Sequence, residues 1–138
     1  MKPKEDCIFC KIVKGEMPCY KIYEDKDVLS FLDINPYCIG HVLVIPKKHS
    51  RWLWDLNEAE YTRLVERTHF LANKLRDAFK TEWVEEVVAG IGTEHTHIHL
   101  QPRKFDDGLG ELPTKPIIPK PTSEEMKKIQ EKIVKVIK

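Results

Sequence analysis

The sequence predicts an α+β domain in which a five-stranded antiparallel sheet packs against one long helix. Three short runs rich in β-branched and aromatic residues come first, then a long segment with helical periodicity, then two more short runs. Short strands joined by brief turns favour antiparallel pairing, and one helix then covers a face of the sheet. The length of 138 residues is typical of a single domain. We expect residues 1–103 to form its body and residues 104–138 to add an arm and a C-terminal helix.

The five strands are bounded by residues that favour turns. Asp and Lys, then Asn-Pro and Gly, separate the first three runs, and Gly90-Ile-Gly92 separates the last two. Pro102 is expected to close the last strand, because proline cannot donate a hydrogen bond to the sheet. The predicted strands are 21–24, 28–33, 41–45, 84–89 and 95–100, and the first three are expected to form a meander.

The long helix is predicted over about residues 57–80, where apolar side chains recur at three- and four-residue spacing. Glu60 follows Asn57 as in a capping box. A proline-rich arm comes after the last strand, and beyond it Thr122 and Glu125 repeat the capping pattern before a terminal helix. The apolar stripe of that helix is expected to cover the sheet or a partner subunit. The stripe consists of Met126, Ile129, Ile133, Val136 and Ile137.

The composition excludes two broad classes of protein. Lys and Arg total 23 and Asp and Glu total 22, so the formal charge is +1 and a sequence-independent grip on nucleic acid is not expected. No apolar run approaches the roughly 20 residues that a membrane span needs. The charged first residues contain no stretch of signal-peptide type, so we expect a cytoplasmic protein whose cysteines remain thiols or bind metal.

Three histidines at alternate positions are the most unusual feature of the chain. On a strand, His95, His97 and His99 would project from one face, about 6.6 Å apart along it. Such residues can converge on one metal ion that keeps an open position for water. Alternatively, a neutral imidazole attacks phosphorus while its neighbours bind the phosphoryl oxygens, and mutual repulsion lowers the pKa values of the three rings. The spacing alone favours neither chemistry.

The pair Cys7 and Cys10 has the spacing of half a tetrahedral zinc site, which needs two further ligands. His49, just past the third predicted strand, can supply one, and a terminal histidine of the triplet can supply the other. A redox role is disfavoured, because no βαβ pattern follows the two cysteines.

The remaining cysteines and histidines give weaker signals. Cys19 and Cys38 are expected to be small buried hydrophobes. His69 lies among charged residues of the long helix and is expected at the surface. His41 opens the third strand and is either a surface residue at a strand end or part of a site.

Four segments of the sequence, taken together, carry a resemblance to a known family. They are Cys7-Ile-Phe-Cys-Lys-Ile-Val-Lys-Gly-Glu-Met-Pro18, Phe31-Leu-Asp-Ile-Asn-Pro36, Gly40-His-Val-Leu-Val-Ile-Pro-Lys-Lys-His49 and His95-Thr-His-Ile-His-Leu-Gln-Pro-Arg103. In this order they resemble the histidine triad family of nucleotide hydrolases and transferases, zinc-containing members included. The resemblance covers residues 7–103 and implies a homodimer whose five-stranded sheets combine across the interface.

The resemblance also implies roles for the site histidines. His97 corresponds to the nucleophile that attacks the α-phosphorus and forms a covalent nucleotidyl-imidazole, which water then releases. His99 would contact the phosphoryl group, and His41 would complete the active-site set. Asp33 resembles the carboxylate that accepts both ribose hydroxyls, as an ionised carboxylate can. The implied base pocket is lined by Ile8, Phe9, Ile12, Phe31 and Ile34.

For zinc, the resemblance points to four ligands, and a site closed by four protein ligands is structural. They are Cys7, Cys10, His49 and His95. The chain departs from the family just before the triad, where many members have an Asn and a Gly-Gln-Ser or Gly-Gln-Thr segment for phosphate oxygens. Residues 87–94 offer Thr93 or the amides around Gly92 instead, and the leaving group is left open.

We therefore expect a nucleotide hydrolase or nucleotidyl transferase. It would cleave a purine nucleoside phosphoramidate or a dinucleoside polyphosphate through a covalent nucleotidyl-histidine, with structural zinc. The alternative is a zinc-stabilised nucleotide-binding module with little turnover. We expect no membrane partner and no specific nucleic acid.

Overall fold

The computed structural model describes residues 6–138. These residues form one five-stranded antiparallel sheet and three helices, which confirms the predicted α+β fold. The elements, in chain order, are α1 (Ile8–Lys14), β1 (Lys21–Glu24), β2 (Val28–Leu32), β3 (Val42–Pro46), a short 3₁₀ turn (Leu53–Asp55), α2 (Glu58–Phe79), β4 (Trp83–Val88), β5 (Ile98–Arg103) and α3 (Ser123–Ile137).

The strand order places His99, the last histidine of the triplet, on an interior strand of the sheet. The order is β1-β2-β3-β5-β4, so the first three strands form the predicted meander and β5 lies between β3 and β4. Leu43 of β3 is paired with His99 of β5, and Val87 of β4 is paired with His99 on the other side. A central strand has partners on both sides, which fixes the position of His99.

The prediction of a strand at 95–100 was wrong at both ends. His95 and His97 lie in the irregular segment that leads into β5. Pro102 does not close the strand but is paired with Val84 inside it. The pairing of β5 with β3 ends at Leu100. Pro102 therefore has a neighbouring strand on one side only, a position that proline tolerates.

The two faces of the sheet carry different layers. One face packs against α2 and α3 and holds the larger core, to which the alternate residues Val28, Leu32, Val42, Val44, Ile98 and Leu100 contribute. The other face packs under α1, where Phe9 and Cys10 contact Leu29, Phe31, Leu43 and Ile45. His99 shares its face with Leu43 because the two residues are paired. The candidate site therefore lies on the side of the sheet that faces away from the long helix.

Capping defines the helix ends as the sequence predicts for α2 and α3. Asn57 and Glu60 form a capping box at α2, and Thr122 and Glu125 form one at α3. No sequence pattern indicates α1, because seven residues are too few to show periodicity. Its cap is the Sγ of Cys7, which accepts from the backbone N–H of Cys10.

The stripe on α3 covers the chain itself. Met126 and Ile133 are buried in the core that α2 also faces. The Nε2 of Gln130 donates to the backbone oxygen of Lys21 at 2.9 Å, which ties α3 to β1. The terminal helix thus closes over α2 and β1.

The arm after β5 is held by a buried arginine. Arg103 is 1% exposed and donates to Glu85 at 2.6 Å and to both carboxylate oxygens of Asp107 at 2.7 and 2.9 Å. Its guanidinium also lowers the pKa of Asp107. Further along, the N–H of Ile117 donates to the oxygen of Pro36 at 2.9 Å, so the arm follows the body of the domain. Within residues 6–138, no helix is both long enough and apolar enough to span a bilayer.

Candidate active site and metal cluster

Two cysteines and two histidines from three separate segments meet beside α1. Cys7 and Cys10 come from the start of α1, His49 from the loop after β3 and His95 from the segment before β5. Their ligand atoms all lie within 4.8 Å of one another, and all four residues are buried. The Sγ of Cys7 is 3.3 Å from Nδ1 of His95, and the Sγ of Cys10 is 3.3 Å from Nδ1 of His49 and 3.5 Å from Nδ1 of His95.

These distances fit tetrahedral zinc. With the usual zinc–sulfur and zinc–nitrogen bond lengths, ligand sulfur and nitrogen atoms are about 3.5 Å apart. The Nε2 of His95 is 2.8 Å from the oxygen of Pro46, so Nε2 carries the proton and Nδ1 keeps its lone pair. Burial lowers the pKa of His95 to about 4, which favours the neutral ring that binds metal. The donor set and its outer hydrogen bond could therefore hold a metal ion such as zinc.

His97 has one ring nitrogen fixed and the other available. Its Nδ1 is 2.7 Å from the backbone oxygen of His95, so Nδ1 donates its proton and the lone pair is on Nε2. The residue is 7% exposed, and its ring packs edge to face with that of Phe9, with centroids 5.3 Å apart. Burial lowers the pKa of His97 and the charge of Arg51 lowers it further, whereas the His95 oxygen and Asp33 oppose the shift.

His41 and His99 form a hydrogen-bonded pair whose tautomers follow from the backbone. The N–H of Tyr37 donates to Nδ1 of His41 at 2.9 Å, so the proton of neutral His41 is on Nε2. That Nε2 lies 2.9 Å from Nδ1 of His99 and donates to it. The proton of neutral His99 is therefore on Nε2, where it can be donated to a ligand. Burial lowers the pKa of His41 to about 3 and that of His99 to about 4.

The three histidines at alternate positions thus take part in two different groups. His95 is packed against His49 in the cluster of two cysteines and two histidines, with ring centroids 5.0 Å apart. His97 and His99 stay together, with centroids 4.9 Å apart. The lowered pKa values of His95, His97 and His99 agree in direction with the sequence prediction, but burial is the largest cause at all three. Repulsion from other histidines adds to the shift at His95 and His99 but not at His97.

Asp33 and the predicted pocket residues border this group. The Oδ2 of Asp33 is 3.6 Å from Nε2 of His41, and its Oδ1 accepts from the N–H of Asn35 at 2.8 Å. Burial raises the pKa of Asp33. Phe9 and Phe31 are buried and pack edge to face at 5.4 Å. The other predicted pocket residues are more open: Ile8 is 45% exposed, Ile34 is 56% exposed and Ile12 is half-buried.

The weaker sequence predictions have mixed outcomes. Cys38 is buried as expected, which raises its pKa to about 12, whereas Cys19 is only half-buried. His69 is exposed on α2. Thr93 is half-buried in the loop between β4 and β5. For His41, the interpretation as a surface residue is wrong, because the residue is 1% exposed and hydrogen-bonded to His99.

Two groups near the site have no signal in the sequence. One is the backbone N–H of Tyr37, which fixes the tautomer of His41. The other is Arg51, whose charge acts on His97 from a segment far away in sequence. A backbone donor carries no residue-type signature, and the position of Arg51 depends on how the chain folds back.

Comparison with known proteins decides the family. The family model described as "HIT domain" matches residues 14–106, which is more than half of the chain. The chain belongs to the HIT family. Among its relatives is the adenosine 5'-monophosphoramidase hnt1 of Schizosaccharomyces pombe, 37% identical over 139 residues, with 96% of this chain and 98% of that protein covered. The adenylylsulfatase HINT3 of Arabidopsis thaliana is 38% identical over 111 residues, covering 77% of this chain and 56% of that protein.

Solved structures agree with the HIT fold. A HIT-like protein from Bartonella henselae has a TM-score of 0.84 at 28% identity, with 99% of both chains covered. A zinc-bound histidine triad family protein from Mycobacterium smegmatis has a TM-score of 0.81 at 25% identity, covering 96% of this chain and 93% of that one. The predictions of a histidine triad family member and of an enzyme of the nucleotide hydrolase class are confirmed.

Proposed function

We propose that this HIT protein cleaves a nucleoside phosphoramidate or a dinucleoside polyphosphate at the α-phosphorus, through a nucleotide bound covalently to His97. The observation that carries the proposal is the hydrogen bond from Nδ1 of His97 to the His95 oxygen at 2.7 Å. It leaves the Nε2 lone pair available in a neutral, oriented ring, as nucleophilic catalysis requires.

The reaction has two displacements at phosphorus. Nε2 of His97 forms a bond to the α-phosphorus, and the bond to the leaving group breaks with its electron pair on the leaving group. A water oxygen then bonds to phosphorus, and the phosphorus–nitrogen bond breaks with its electron pair returning to Nε2. Over both steps, water gives its hydroxyl to phosphorus and its other proton to the leaving group. His97 ends each cycle unchanged.

His99 and His41 act on the charge that develops. The Nε2–H of His99 would donate to a phosphoryl oxygen, which is preorganised electrostatic stabilisation in a buried site. His41 holds His99 in the required tautomer through the 2.9 Å hydrogen bond. Both rings are neutral near pH 7, because burial holds their pKa values at about 3 and 4.

Asp33 and the apolar residues around it would bind the purine nucleoside. The Asp33 carboxylate would accept from the ribose hydroxyls. Because Asp33 is 3.6 Å from His41, the nucleoside end would then lie beside His41. Phe9 and Phe31 offer aromatic surface, and such pockets are mostly apolar. Ile8, Ile12 and Ile34 would complete the pocket, and Thr93 would contact the phosphate.

The test is trapping of the intermediate. The wild-type protein mixed with adenosine 5'-phosphoramidate should carry an adenylyl group on the peptide containing His97, detected by mass spectrometry after rapid quenching. His97→Ala should lose the adduct and about 10³-fold or more in kcat/KM. His69→Ala, which changes an exposed histidine on α2, is the matched control and should behave as wild type.

Two outcomes would contradict the proposal. Full turnover by His97→Ala would exclude a nucleophilic His97. Tight binding of nucleoside monophosphate without turnover of any phosphoramidate or dinucleoside polyphosphate would favour the zinc-stabilised binding module. The observation behind that alternative is the segment 87–94, which departs from the family pattern.

We further propose that Cys7, Cys10, His49 and His95 hold structural zinc. The ligand separations of 3.3 to 3.5 Å and the His95 to Pro46 hydrogen bond support this. When bound, the ion would join α1 to the segment that carries His97 and would take no part in the displacement. Elemental analysis should find about one zinc per chain. Cys10→Ser should lose that zinc, whereas Cys38→Ser, at a buried cysteine outside the cluster, should keep it.

We also propose that the chain acts as a homodimer. β4 lies at the edge of the sheet, with Val88 47% exposed. Phe105 is 81% exposed and stacks on Trp83 of that strand at 5.3 Å. An open edge with apolar residues suits a partner subunit. Sedimentation equilibrium should give twice the chain mass at micromolar concentration, and a monomer would contradict the proposal.

A further inference from the structure

Arg51 lies against the loop that precedes the triad. Its Nε is 3.5 Å from Oε1 of Glu94, and its Cζ is 3.7 Å from the centre of the Trp52 ring. Its Nη1 is 3.3 Å from the position that a Cβ on Gly90 would occupy. The guanidinium therefore packs on Trp52 and beside the loop 89–94, which differs from the Gly-Gln-Ser or Gly-Gln-Thr segment that many histidine triad members have there.

Hydrogen bonds between Ser50 and Thr96 hold Arg51 in this position. The N–H of Thr96 donates to the oxygen of Ser50 at 2.7 Å, and the two hydroxyl oxygens are 2.6 Å apart. Both residues are buried, so this connection is protected from water. Arg51 is thus anchored beside the segment that ends at His97, and its charge acts on the His97 ring.

Two donor nitrogens of Arg51, Nε and Nη1, lack a short hydrogen bond. Glu94 is its ion-pair partner, but the distance is long and the Glu94 side chain is 67% exposed. Among residues 6–138, nothing accepts a hydrogen bond from Nη1 of Arg51, although that atom is buried. A guanidinium presents its N–H groups in a planar fork that matches the oxygens of phosphate or sulfate.

The order of groups along the site gives a direction. Asp33 is 3.6 Å from His41, and His41 is bonded to His99, so the nucleoside end lies at these residues. The His97 ring packs beside the His99 ring, with centroids 4.9 Å apart. Arg51 lies beside Glu94, in the loop that leads into His97, and its neighbour Ser50 is bonded to Thr96. A nucleotide with its α-phosphorus at His97 would extend its leaving group away from the nucleoside end, toward Arg51.

We propose that Arg51 binds the leaving group of the substrate and favours a tetrahedral oxyanion, phosphate or sulfate, over an uncharged amine. This specificity rests on the proposed function, because it assigns the leaving-group side of the same reaction. Glu94 occupies Arg51 in the absence of substrate and is displaced by the oxyanion. Among the alternatives left open by the sequence, the proposal favours a polyphosphate substrate over a phosphoramidate.

The test compares three substrates that differ in the leaving group. Adenosine 5'-phosphosulfate releases sulfate, dinucleoside tetraphosphate releases a nucleotide, and adenosine 5'-phosphoramidate releases ammonia. Two ratios are compared: kcat/KM for the phosphosulfate and kcat/KM for the tetraphosphate, each divided by kcat/KM for the phosphoramidate. Arg51→Gln should lower both ratios by about 10- to 100-fold, the effect of one charge-assisted hydrogen bond. Arg51→Lys should give a smaller fall. A fall in only one of the two ratios would identify which oxyanion Arg51 binds.

Arg67→Gln is the matched control. Arg67 also packs over an aromatic ring, 4.9 Å from Phe70, but lies on α2 away from the site. Its substitution should leave both ratios at the wild-type value. Each ratio is measured on one preparation, so partial unfolding of a variant cancels, and zinc content and thermal midpoint are recorded alongside.

Equilibrium binding separates this inference from the proposed function. ADP and AMP differ by the one phosphate that would lie at Arg51. Arg51→Gln should therefore weaken the binding of ADP relative to that of AMP by a similar factor. A wild-type protein that hydrolyses none of the substrates would refute the proposed function, and the binding ratio would then decide the role of Arg51: a fall supports it and no change overturns it. Hydrolysis through His97 with unchanged ratios would overturn the role of Arg51 alone.

Discussion

At the scale of single residues, His41 shows how burial controls the chemistry of the site. The ring is 1% exposed, accepts from the N–H of Tyr37 and donates to His99. Its pKa is held at about 3, far below the usual value near 6.5. The native state therefore keeps His41 neutral at pH values where an unfolded chain binds a proton there.

This difference predicts a pH dependence of stability. Because the folded pKa of His41 is below the unfolded one, its contribution favours unfolding as the pH falls below about 6.5, by up to about 1.4 kcal/mol per pH unit. His41→Gln lacks this linkage, so its stability deficit relative to wild type should shrink between pH 6 and pH 4. Urea unfolding of both proteins at several pH values measures the difference. A deficit that is constant over this range would contradict the buried neutral ring.

Gly40, next to His41, is required by backbone conformation and by space. Its φ is +89°, and a Cβ there would be 2.5 Å from the Phe79 ring. Gly40→Ala should cost about 3 kcal/mol or more, because backbone strain and overpacking add. Gly108→Ala is the control: φ is +73° but no atom lies within 4 Å of a Cβ, so only the strain of about 1 to 2 kcal/mol should appear. Equal costs in denaturant unfolding would disprove the packing argument.

At the scale of elements, α3 tests how far the domain extends. Its buried Ile133 lies in the core with residues of the sheet and α2. If residues 104–138 belong to the same domain as residues 1–103, Ile133→Ala should destabilise one cooperative unit by about 2 to 5 kcal/mol. Ile118→Ala, at an 88% exposed isoleucine of the arm, should change stability little. Calorimetry that resolves two transitions, with only one shifted by Ile133→Ala, would contradict a single domain.

At the scale of the whole molecule, the metal cluster joins parts of the chain that secondary structure does not. Its ligands come from α1, from the loop after β3 and from the segment before β5, and His95 also supplies the oxygen that orients His97. Zinc bound there would stabilise the fold and the catalytic geometry at once, because metal binding to a folded site is folding free energy.

Removing the metal should therefore lower stability and activity together. A zinc chelator should reduce the thermal midpoint and kcat/KM, and added Zn²⁺ should restore both while Mg²⁺ restores neither, because thiolate and imidazole ligands suit zinc. Differential scanning fluorimetry and a hydrolysis assay on the same samples measure the two effects. Loss of zinc with an unchanged thermal midpoint would contradict the structural role.

The sequence by itself determined the five strands and the two long helices, because alternation, helical spacing and capping boxes are local patterns. It also identified candidate metal-ligand and site residues, because Cys7 and Cys10, and His95, His97 and His99, stand out by their spacing in the sequence. It placed the last strand three residues early, because alternation from His95 to Leu100 does not show where strand partners begin.

The surroundings of those residues come from the folded chain. Tertiary structure brings His95 to the cysteines, as the family resemblance implies and the spacing alone does not, and it fixes the tautomers of His41 and His97 through backbone groups of Tyr37 and His95. It also brought Arg51 beside the triad by pairing Ser50 with Thr96. The physical reason is the same in each case: hydrogen bonds and ligand distances depend on which distant segments become neighbours, and no local pattern encodes that.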